Sequence, residues 1–303
     1  MRTMKKVLTL ILSGALLIGL LAGCTSNETT TDPNSNADDQ NTASNPITVI
    51  SREDGSGTRG AFIELFGIEQ EDANGETVDM TTTSAEITNN TSVMMTSVAG
   101  NPSAIGYISL GSLDETQVKA LNIDGVAATV ENINNGTYPV SRPFNIATGA
   151  TVSDVAQDFI NFILSKEGQA VVTDNKYIAV NDAAESFVSD GSSGQIAVGG
   201  SSSVSPVMEK LIEAYKSVNP NASIDLQTSD STSGMTGAMD GTFAIGMASR
   251  ELKDEEAAQL TGTAIALDGI AVIVNPANTI DELSMDQIKS IYVGDITDWG
   301  DLA

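Results

Sequence analysis

The sequence predicts an α/β protein long enough for two lobes, with parallel strands covered by helices on both faces. Three observations predict this class. A strand, a Ser/Gly-rich turn and a helix follow one another at 47–66, 196–215 and 222–239, and that alternation implies parallel sheets. The chain restarts after a Ser/Gly/Asp-rich linker, 181–195, with a second strand–turn–helix unit. Cys24 to Ala303 leaves room for two domains of ordinary size.

Taken in order, Met1 to Lys6 is basic, Val7 to Leu20 apolar, and Leu21-Ala22-Gly23-Cys24 closes the run. Such a start is expected to be a bacterial export signal over 1–23, too short and wrongly flanked for a stable membrane span. Cys24 is the only cysteine, so an internal disulfide is excluded. Leu-Ala-Gly-Cys resembles the lipobox of bacterial lipoproteins, which implies lipid attachment at Cys24. From 24 to 45 the chain is nearly all Thr, Asn, Ser, Asp and Glu. That composition cannot bury enough apolar surface to fold and reads as a tether.

Ile47–Ile50 is a strand running into Ser51-Arg52-Glu53-Asp54-Gly55-Ser56-Gly57-Thr58-Arg59, and a helix opens at Gly60. Gly67 to Thr82 is a polar surface excursion. Glu86 to Val98 fits either a short helix or a buried strand pair. Ala104–Ile108 is strand-like, and Val118–Val130 holds two short apolar runs. Thr137–Ile146 contains Pro139 and Pro143, which suit an edge strand or loop. Val155, Phe159, Phe162 and Ile163 share one face of a helix capped near Ser153.

After the linker, Ile196–Gly200 leads through Ser201-Ser202-Ser203 to a helix with Pro206 at its start, where a missing N–H costs nothing. Ala222–Leu226 is followed by a Ser/Thr turn and a helix from Met235. Ala244–Ala248 ends at Ser249-Arg250. Ile265–Val274 is apolar but interrupted by Asp268-Gly269, and Ser284 caps the last helix.

Charge narrows the function. The chain carries 14 basic and 40 acidic residues, a formal net charge of −26. The field argues against nucleic acid and anionic lipid headgroups as partners. An anion site here must work through local dipoles and a few placed cations. With no histidine and no cysteine in the part expected to fold, the usual zinc sites and the Ser-His-Asp and Cys-His nucleophile systems are absent. No Gly-Lys-Ser/Thr follows the glycines, so the first turn is not a P-loop. No metal or cofactor is expected. A phosphomonoesterase would need a metal cluster or an activated nucleophile, and an acidic adhesin would leave three Ser-rich turns unexplained.

Turns of this kind present free N–H groups and hydroxyls at helix starts, which suits a compact oxyanion. An arginine would add forked charge-assisted bonds. A carboxylate would repel sulfate but accept the proton of hydrogen phosphate. Asp268, inside an apolar run, needs a partner if ionised; it is a candidate acceptor, or a cap of the turn at Gly269.

These residues resemble the extracytoplasmic phosphate-binding proteins of ABC importers, particularly the lipoprotein forms of Gram-positive bacteria. The matching motifs are 47–59, Gly-Gly-Ser-Ser-Ser-Val-Ser-Pro at 199–206, Gly-Met-Ala-Ser-Arg-Glu-Leu at 246–252, Ala-Leu-Asp-Gly-Ile-Ala-Val-Ile-Val-Asn at 266–275, and Gly-Asp-Ile-Thr-Asp-Trp at 294–299. The resemblance implies a type II-like periplasmic-binding-protein fold, two lobes each with a mixed sheet flanked by helices. It implies a monomeric, non-enzymatic receptor that is lipid-anchored on the outer face of the cell membrane and delivers inorganic phosphate to the permease subunits. Related alternatives are another oxyanion (sulfate, molybdate) or a phosphate-sensing role. The implied phosphate ligands are Arg52, Ser56, Gly57, Thr58, Ser202, Ser203, Ser231, Ser249 and Asp268. Arg250 is a further candidate, for ligand contact or for bracing a carboxylate across the cleft, and Asp54 another, as a brace for Arg52 or a helix cap more than as a ligand. Ser249 falls where some relatives place an acceptor carboxylate, which passes that role to Asp268.

The motif order departs from the family: the Ser-rich half comes second here, as in a circular permutation joined through 181–195. On that mapping the crossings between lobes fall near 100–106 and 268–274. One lobe is then continuous, 104–270, and the other discontinuous, 46–103 with 271–303.

Overall fold

β1 (Thr48–Arg52) turns through Asp54-Gly55 into α1 (Gly57–Leu65), whose N-cap Ser56 accepts from the Arg59 N–H. The polar excursion carries an antiparallel pair, β2 (Glu69–Glu71) and β3 (Thr77–Asp79). The ambiguous 86–98 stretch divides into β4 (Glu86–Thr88) and α2 (Thr91–Gly100). Asn90 decides the division, because its side chain accepts from the Val93 N–H and starts the helix there. β5 (Ala104–Ser109) is buried throughout. The short β6 (Lys119–Ala120), β7 (Asn122–Ile123) and α3 (Val130–Asn134) precede β8 (Ser141–Thr148). α4 (Asp154–Leu164), capped by Ser153, and α5 (Lys166–Asp174), capped by Ser165, follow.

The second half contains β9 (Gly194–Ser201), α6 (Ser205–Val218) with Pro206 in its first turn, β10 (Ala222–Ser229) and α7 (Ser231–Asp240). β11 (Ile245–Ala248), α8 (Asp254–Ala257), β12 (Thr261–Val274), β13 (Glu282–Leu283) and the Ser284-capped α9 (Met285–Val293) complete it. This computed structural model describes residues 45–72 and 77–302. The expected signal at 1–23, Cys24 and almost all of the 24–45 tether lie outside the described residues. Among the described residues no helix is long and apolar enough to cross a membrane.

Eight strands form one path, β10-β9-β11-β8-β12-β5-β1-β4, with β6 beside β12, while β2–β3 and β7–β13 are separate pairs. At one end β10, β9 and β11 are mutually parallel; at the other, β5, β1 and β4 are. Antiparallel pairs join them through β8 and β12. β12 spans both groups: residues 261–269 pair with β8, and 270–274 pair with β5. A mixed sheet flanked by helices is therefore present, as the family resemblance implies, and the parallel strands that the repeated units predicted form its two ends.

Contacts tie Ala43–Ala303 into one compact unit, yet it holds two large cores. One gathers Phe62, Tyr107, Leu121, Ile133, Val140, Val272 and Tyr292; the other gathers Phe144, Phe159, Val198, Leu211, Tyr215 and Ile265. The switch in β8 falls between Val140 and Phe144, and in β12 between Ala266 and Ile270. A crossing near 100–106 does not match this packing, since Ile105 to Val140 still belong to the first core. The strand-like character of 104–108 carried no information about which core it joins.

β8 is also not an edge strand. Its C-terminal half lies between β11 and β12, whereas Pro143 pairs only with Leu267 of β12. Pairing with β11 starts at Asn145, so the N–H that Pro143 lacks has no ladder partner to lose.

Candidate oxyanion site

Parallel strands of both groups end at one place. β1, β4, β9 and β10 are followed by α1, α2, α6 and α7, and helix starts carry unsatisfied N–H groups and partial positive charge. The turns bring buried hydroxyls with them. Thr58 Oγ1 lies 2.8 Å from Ser203 Oγ and 3.5 Å from Ser249 Oγ. Ser201 Oγ donates to Ser249 Oγ at 2.9 Å, and Ser231 Oγ lies 3.5 Å from that same oxygen. The Ser249 N–H donates to Ser231 Oγ at 3.1 Å. Thr91 Oγ1 lies 3.3 Å from Ser202 Oγ and 3.2 Å from Ser203 Oγ. Thr58, Thr91, Ser201, Ser202, Ser203, Ser231 and Ser249 are all buried and make one ring of hydroxyls drawn from both ends of the sheet.

Arg52 supplies the charge. It is 2% exposed, and Nη2 donates to Ser202 Oγ at 3.1 Å. Glu53 braces the same guanidinium through Nε and Nη2 at 2.8 and 2.7 Å. The strand end beneath is fixed by Tyr107, whose hydroxyl accepts from the Arg52 N–H at 3.1 Å and lies 2.9 Å from Ser51 Oγ. Burial pushes the Tyr107 phenol up to about 12, so it stays neutral near pH 7.

Gly57 leaves room for a side chain only if its serine neighbours shift. A Cβ would stand 2.4 Å from Ser231 Oγ and 2.9 Å from Ser249 Oγ. Gly55 is equally close to the opposite wall, where the Thr232 N–H donates to its carbonyl at 3.1 Å. A Cβ on Gly55 would meet Asp230 Oδ1 at 2.3 Å.

Other expected residues are placed differently. Ser56 is buried but serves as the α1 cap. Asp54 pairs with Arg59 at 2.6 Å instead of bracing Arg52, and its side chain is 97% exposed. Arg250 forms a bidentate pair with Glu256 at 2.7 and 2.8 Å and reaches Thr232 Oγ1 at 3.3 Å.

Asp268 is 1% exposed and stands one residue behind the ring. It accepts from Ser109 Oγ at 2.9 Å, the Gly111 N–H at 3.4 Å and Arg142 Nη2 at 3.2 Å. Arg142, 3% exposed, donates through Nη1 to the Ser249 carbonyl at 3.0 Å and so connects Asp268 to the ring. Burial pushes Asp268 up to about 6 against the opposing pull of Arg142, and burial likewise lowers Arg142. Arginine is still charged at any ordinary pH.

Thr91, Ser201 and Arg142 were not among the sequence candidates. Thr91 was hidden by the unresolved 86–98 stretch. Ser201 was overlooked beside Ser202 and Ser203, and Arg142 by its position between two prolines. Scarcity was the available signal for Arg142, since few basic residues occur in so acidic a chain. Among the described residues no cluster of three or more Asp, Glu, Cys or His could hold a metal ion.

The arrangement offers hydroxyl donors, helix-start N–H groups and one guanidinium, without a metal ligand set or a general base next to a nucleophile. It can hold a small oxyanion. Comparison with known proteins agrees with this chemistry. The family described as a PBP superfamily domain matches residues 4–167 and 186–303. A protein of Streptococcus agalactiae serotype V named phosphate-binding protein PstS 2 is 49% identical over 305 residues, covering all of both chains. One of the same name from Streptococcus pneumoniae serotype 4 is 47% identical over 97% of this chain and 98% of its own. The crystal structure of a phosphate-binding protein of a phosphate ABC transporter from Streptococcus pneumoniae TIGR4 shares 48% identity at a TM-score of 0.68. It covers 85% of this chain and all of that one. The chain belongs to the PBP superfamily, in the family of these streptococcal phosphate-binding proteins.

Proposed function

We propose that this protein binds inorganic phosphate outside the cytoplasmic membrane and delivers it to the permease subunits of an ABC importer, without catalysing a reaction. The observation that carries the reading is the buried ring of seven hydroxyls that Arg52 joins at Ser202 and Thr91, where the helices after β1, β4, β9 and β10 begin. Burial strengthens these bonds, because the anion exchanges a diffuse water shell for fixed donors in a low-dielectric setting. The full-length relatives named as phosphate-binding proteins support the choice of anion. Direct ligands are Arg52, Thr58, Ser202, Ser203, Ser231, Ser249 and the Gly57 N–H, joined by Thr91 and Ser201. Ser56 contributes through its cap, and Asp268 acts through Arg142. Arg250 and Asp54 brace the rim through Glu256 and Arg59. Calorimetric titration with phosphate tests the reading: saturable one-site binding without phosphate-ester hydrolysis is expected, and no heat of binding would refute it.

The two cores form a clamp: 45–72 and 77–140 with 267–302 on one side, 141–266 on the other. The clamp acts as a monomer. Its motif order is a circular permutation relative to the wider family. The spatial neighbours fit that origin, since the Ile47 N–H donates to the Thr297 carbonyl at 2.8 Å and the Trp299 N–H to the Asn45 carbonyl at 2.9 Å. Cys24 carries the lipid that holds the protein at the outer membrane face. Cys24→Ser should move it from the membrane fraction into the medium; retention in the membrane would exclude this anchor.

A further inference from the structure

β8 and β12 carry the chain from one core to the other, and a third segment meets them at the switch. α5 is followed by a left-handed residue, Lys176 at φ 68°. The Lys176 N–H donates to the Thr173 carbonyl at 3.1 Å and the Tyr177 N–H to the Val172 carbonyl at 3.2 Å, a helix closure that usually takes glycine at this position. A lysine there is strained, and the strain turns the chain toward β12. Ile178 and Leu267 then exchange both backbone bonds at 2.9 Å. Tyr177 belongs to the second core, its ring centroid 5.3 Å from that of Phe144, whereas Ile178 packs against the first.

The Tyr177 ring lies against Gly111, in the single turn Leu110–Ser112 that follows β5 on the side of the first core. A Cβ on Gly111 would stand 2.1 Å from Tyr177 Cζ, 2.3 Å from Cε1 and 2.5 Å from Oη. Tyr177 is 1% exposed and confined by Phe144 and by the Ile178–Leu267 pair, so a methyl at 111 must displace the ring together with its surroundings. The Gly111 N–H also donates to Asp268, which Arg142 connects to Ser249. Beside the contact lies a cavity of about 550 Å³, walled by Leu110, Leu113, Asp114 and Val130 on one side and Lys176 on the other. Protein interiors are close-packed, so one core can turn against the other only where free volume adjoins the axis. Resting on the phosphate clamp proposed above, we infer that Tyr177–Ile178 is a third crossing of the hinge and that Tyr177 on Gly111 is the fulcrum about which the two cores turn. Both are positioning residues. Their contact holds in the open and closed forms, and its thickness sets how closely the Arg52–Thr58 side meets the Ser202–Ser203 side on closure.

Hydrogen exchange on the full chain, followed by NMR with and without phosphate, is the first test. The Ile178 and Leu267 amides should be equally protected in both conditions, while the turns at 55–59 and 201–205 gain protection from the ligand. Protection of Ile178 or Leu267 that appears only with phosphate overturns the inference. Gly111→Ala then thickens the fulcrum. Calorimetry on a variant that urea unfolding shows to be folded should find phosphate affinity lower by about tenfold or more. Gly111→Ala/Tyr177→Leu should bind within about threefold of Tyr177→Leu alone, because coupled neighbours lose their effect together. A contact that only stabilises the fold would move the urea midpoint and leave the affinity of the folded protein unchanged. A fall of less than about threefold, or one that persists beside Tyr177→Leu, therefore overturns the inference. Should Gly111→Ala fail to fold, exchange on the unaltered protein decides alone. An unaltered protein that binds no phosphate would instead withdraw the function proposed above.

Discussion

Two buried arginines stand behind the same ring and do different work. Arg52 closes β1 and gives its guanidinium to Ser202 Oγ, a side chain that itself faces the ring. Arg142 lies within β8 and gives Nη1 to the Ser249 backbone carbonyl and Nη2 to Asp268, while its Nε is buried without a partner. Glu53, the partner of Arg52, is partly exposed, whereas Asp268 is sealed in. A guanidinium that ends on hydroxyls can transfer its bonds to an anion. One that ends on a carbonyl and a buried carboxylate fixes the frame. Position among donors, not burial, separates a ligand from a scaffold.

The largest effect should come from Arg52. Arg52→Met removes the charge that the anion would meet and keeps most of the apolar stem. Losing one side of a desolvated charge pair costs about 2–5 kcal/mol, so phosphate affinity should fall on the order of a thousandfold by calorimetry. A loss below tenfold would erase the distinction from Arg142.

Arg142→Met should act on stability first. It leaves Asp268 buried without its cation, and breaking such a pair costs about 3–5 kcal/mol. Urea unfolding should show that loss, with phosphate affinity weakened only about tenfold. The double variant Arg142→Met/Asp268→Leu should recover most of the stability, because apolar pairs often replace buried ion pairs at no net cost. A double variant as unstable as the single one would show that Arg142 matters for more than this pair.

Asp268 sharpens the same contrast through pH. Its folded-state value is raised from 3.8 to about 6. The folded state therefore binds the proton more tightly, and the stability this contributes is fully present below pH 4 and lost as pH rises through 6. The difference is on the order of 2–3 kcal/mol. Asp268→Asn removes the titration. The stability of the unaltered protein relative to this variant should thus shrink by that amount between pH 4 and 7. A pH-independent difference in urea unfolding would contradict it.

Much of this contrast was legible beforehand. The repeated strand–turn–helix pattern predicted Ser/Gly turns at the carboxyl ends of parallel strands, and the family resemblance pointed to Arg52, Gly57, Thr58, Ser202, Ser203, Ser231 and Ser249, which the fold brings close together. Asp268 was visible as a charge inside an apolar run, but its partner was not. Which Arg reaches it depends on the pairing of β8 with β12, a contact between residues 126 apart in the chain. Asp54 and Glu53 illustrate the same limit. Both neighbour Arg52 in sequence, and only the direction of the turn after β1 gives Glu53 to Arg52 and Asp54 to Arg59. The boundary between the two cores was misplaced for a related reason, since an apolar strand does not announce its neighbours.

Gly57 offers the smallest and most local test. Gly57→Ala keeps the backbone N–H that the anion would use, so any loss must be steric. The new Cβ would sit 2.4 Å from Ser231 Oγ and 2.9 Å from Ser249 Oγ, closer than such contacts allow, and would push the two sides of the ring apart. Alanine also favours a helix over glycine by about 1 kcal/mol, so unfolding of the ligand-free protein should change little. Phosphate affinity should fall about tenfold. Gly60→Ala is the control, because a Cβ there meets only Arg250 Cδ at 3.8 Å. Equal effects at 57 and 60 would mean that the variants act through the helix. A loss confined to Gly57→Ala would mean that α1 meets Ser231 and Ser249 when the ligand is held.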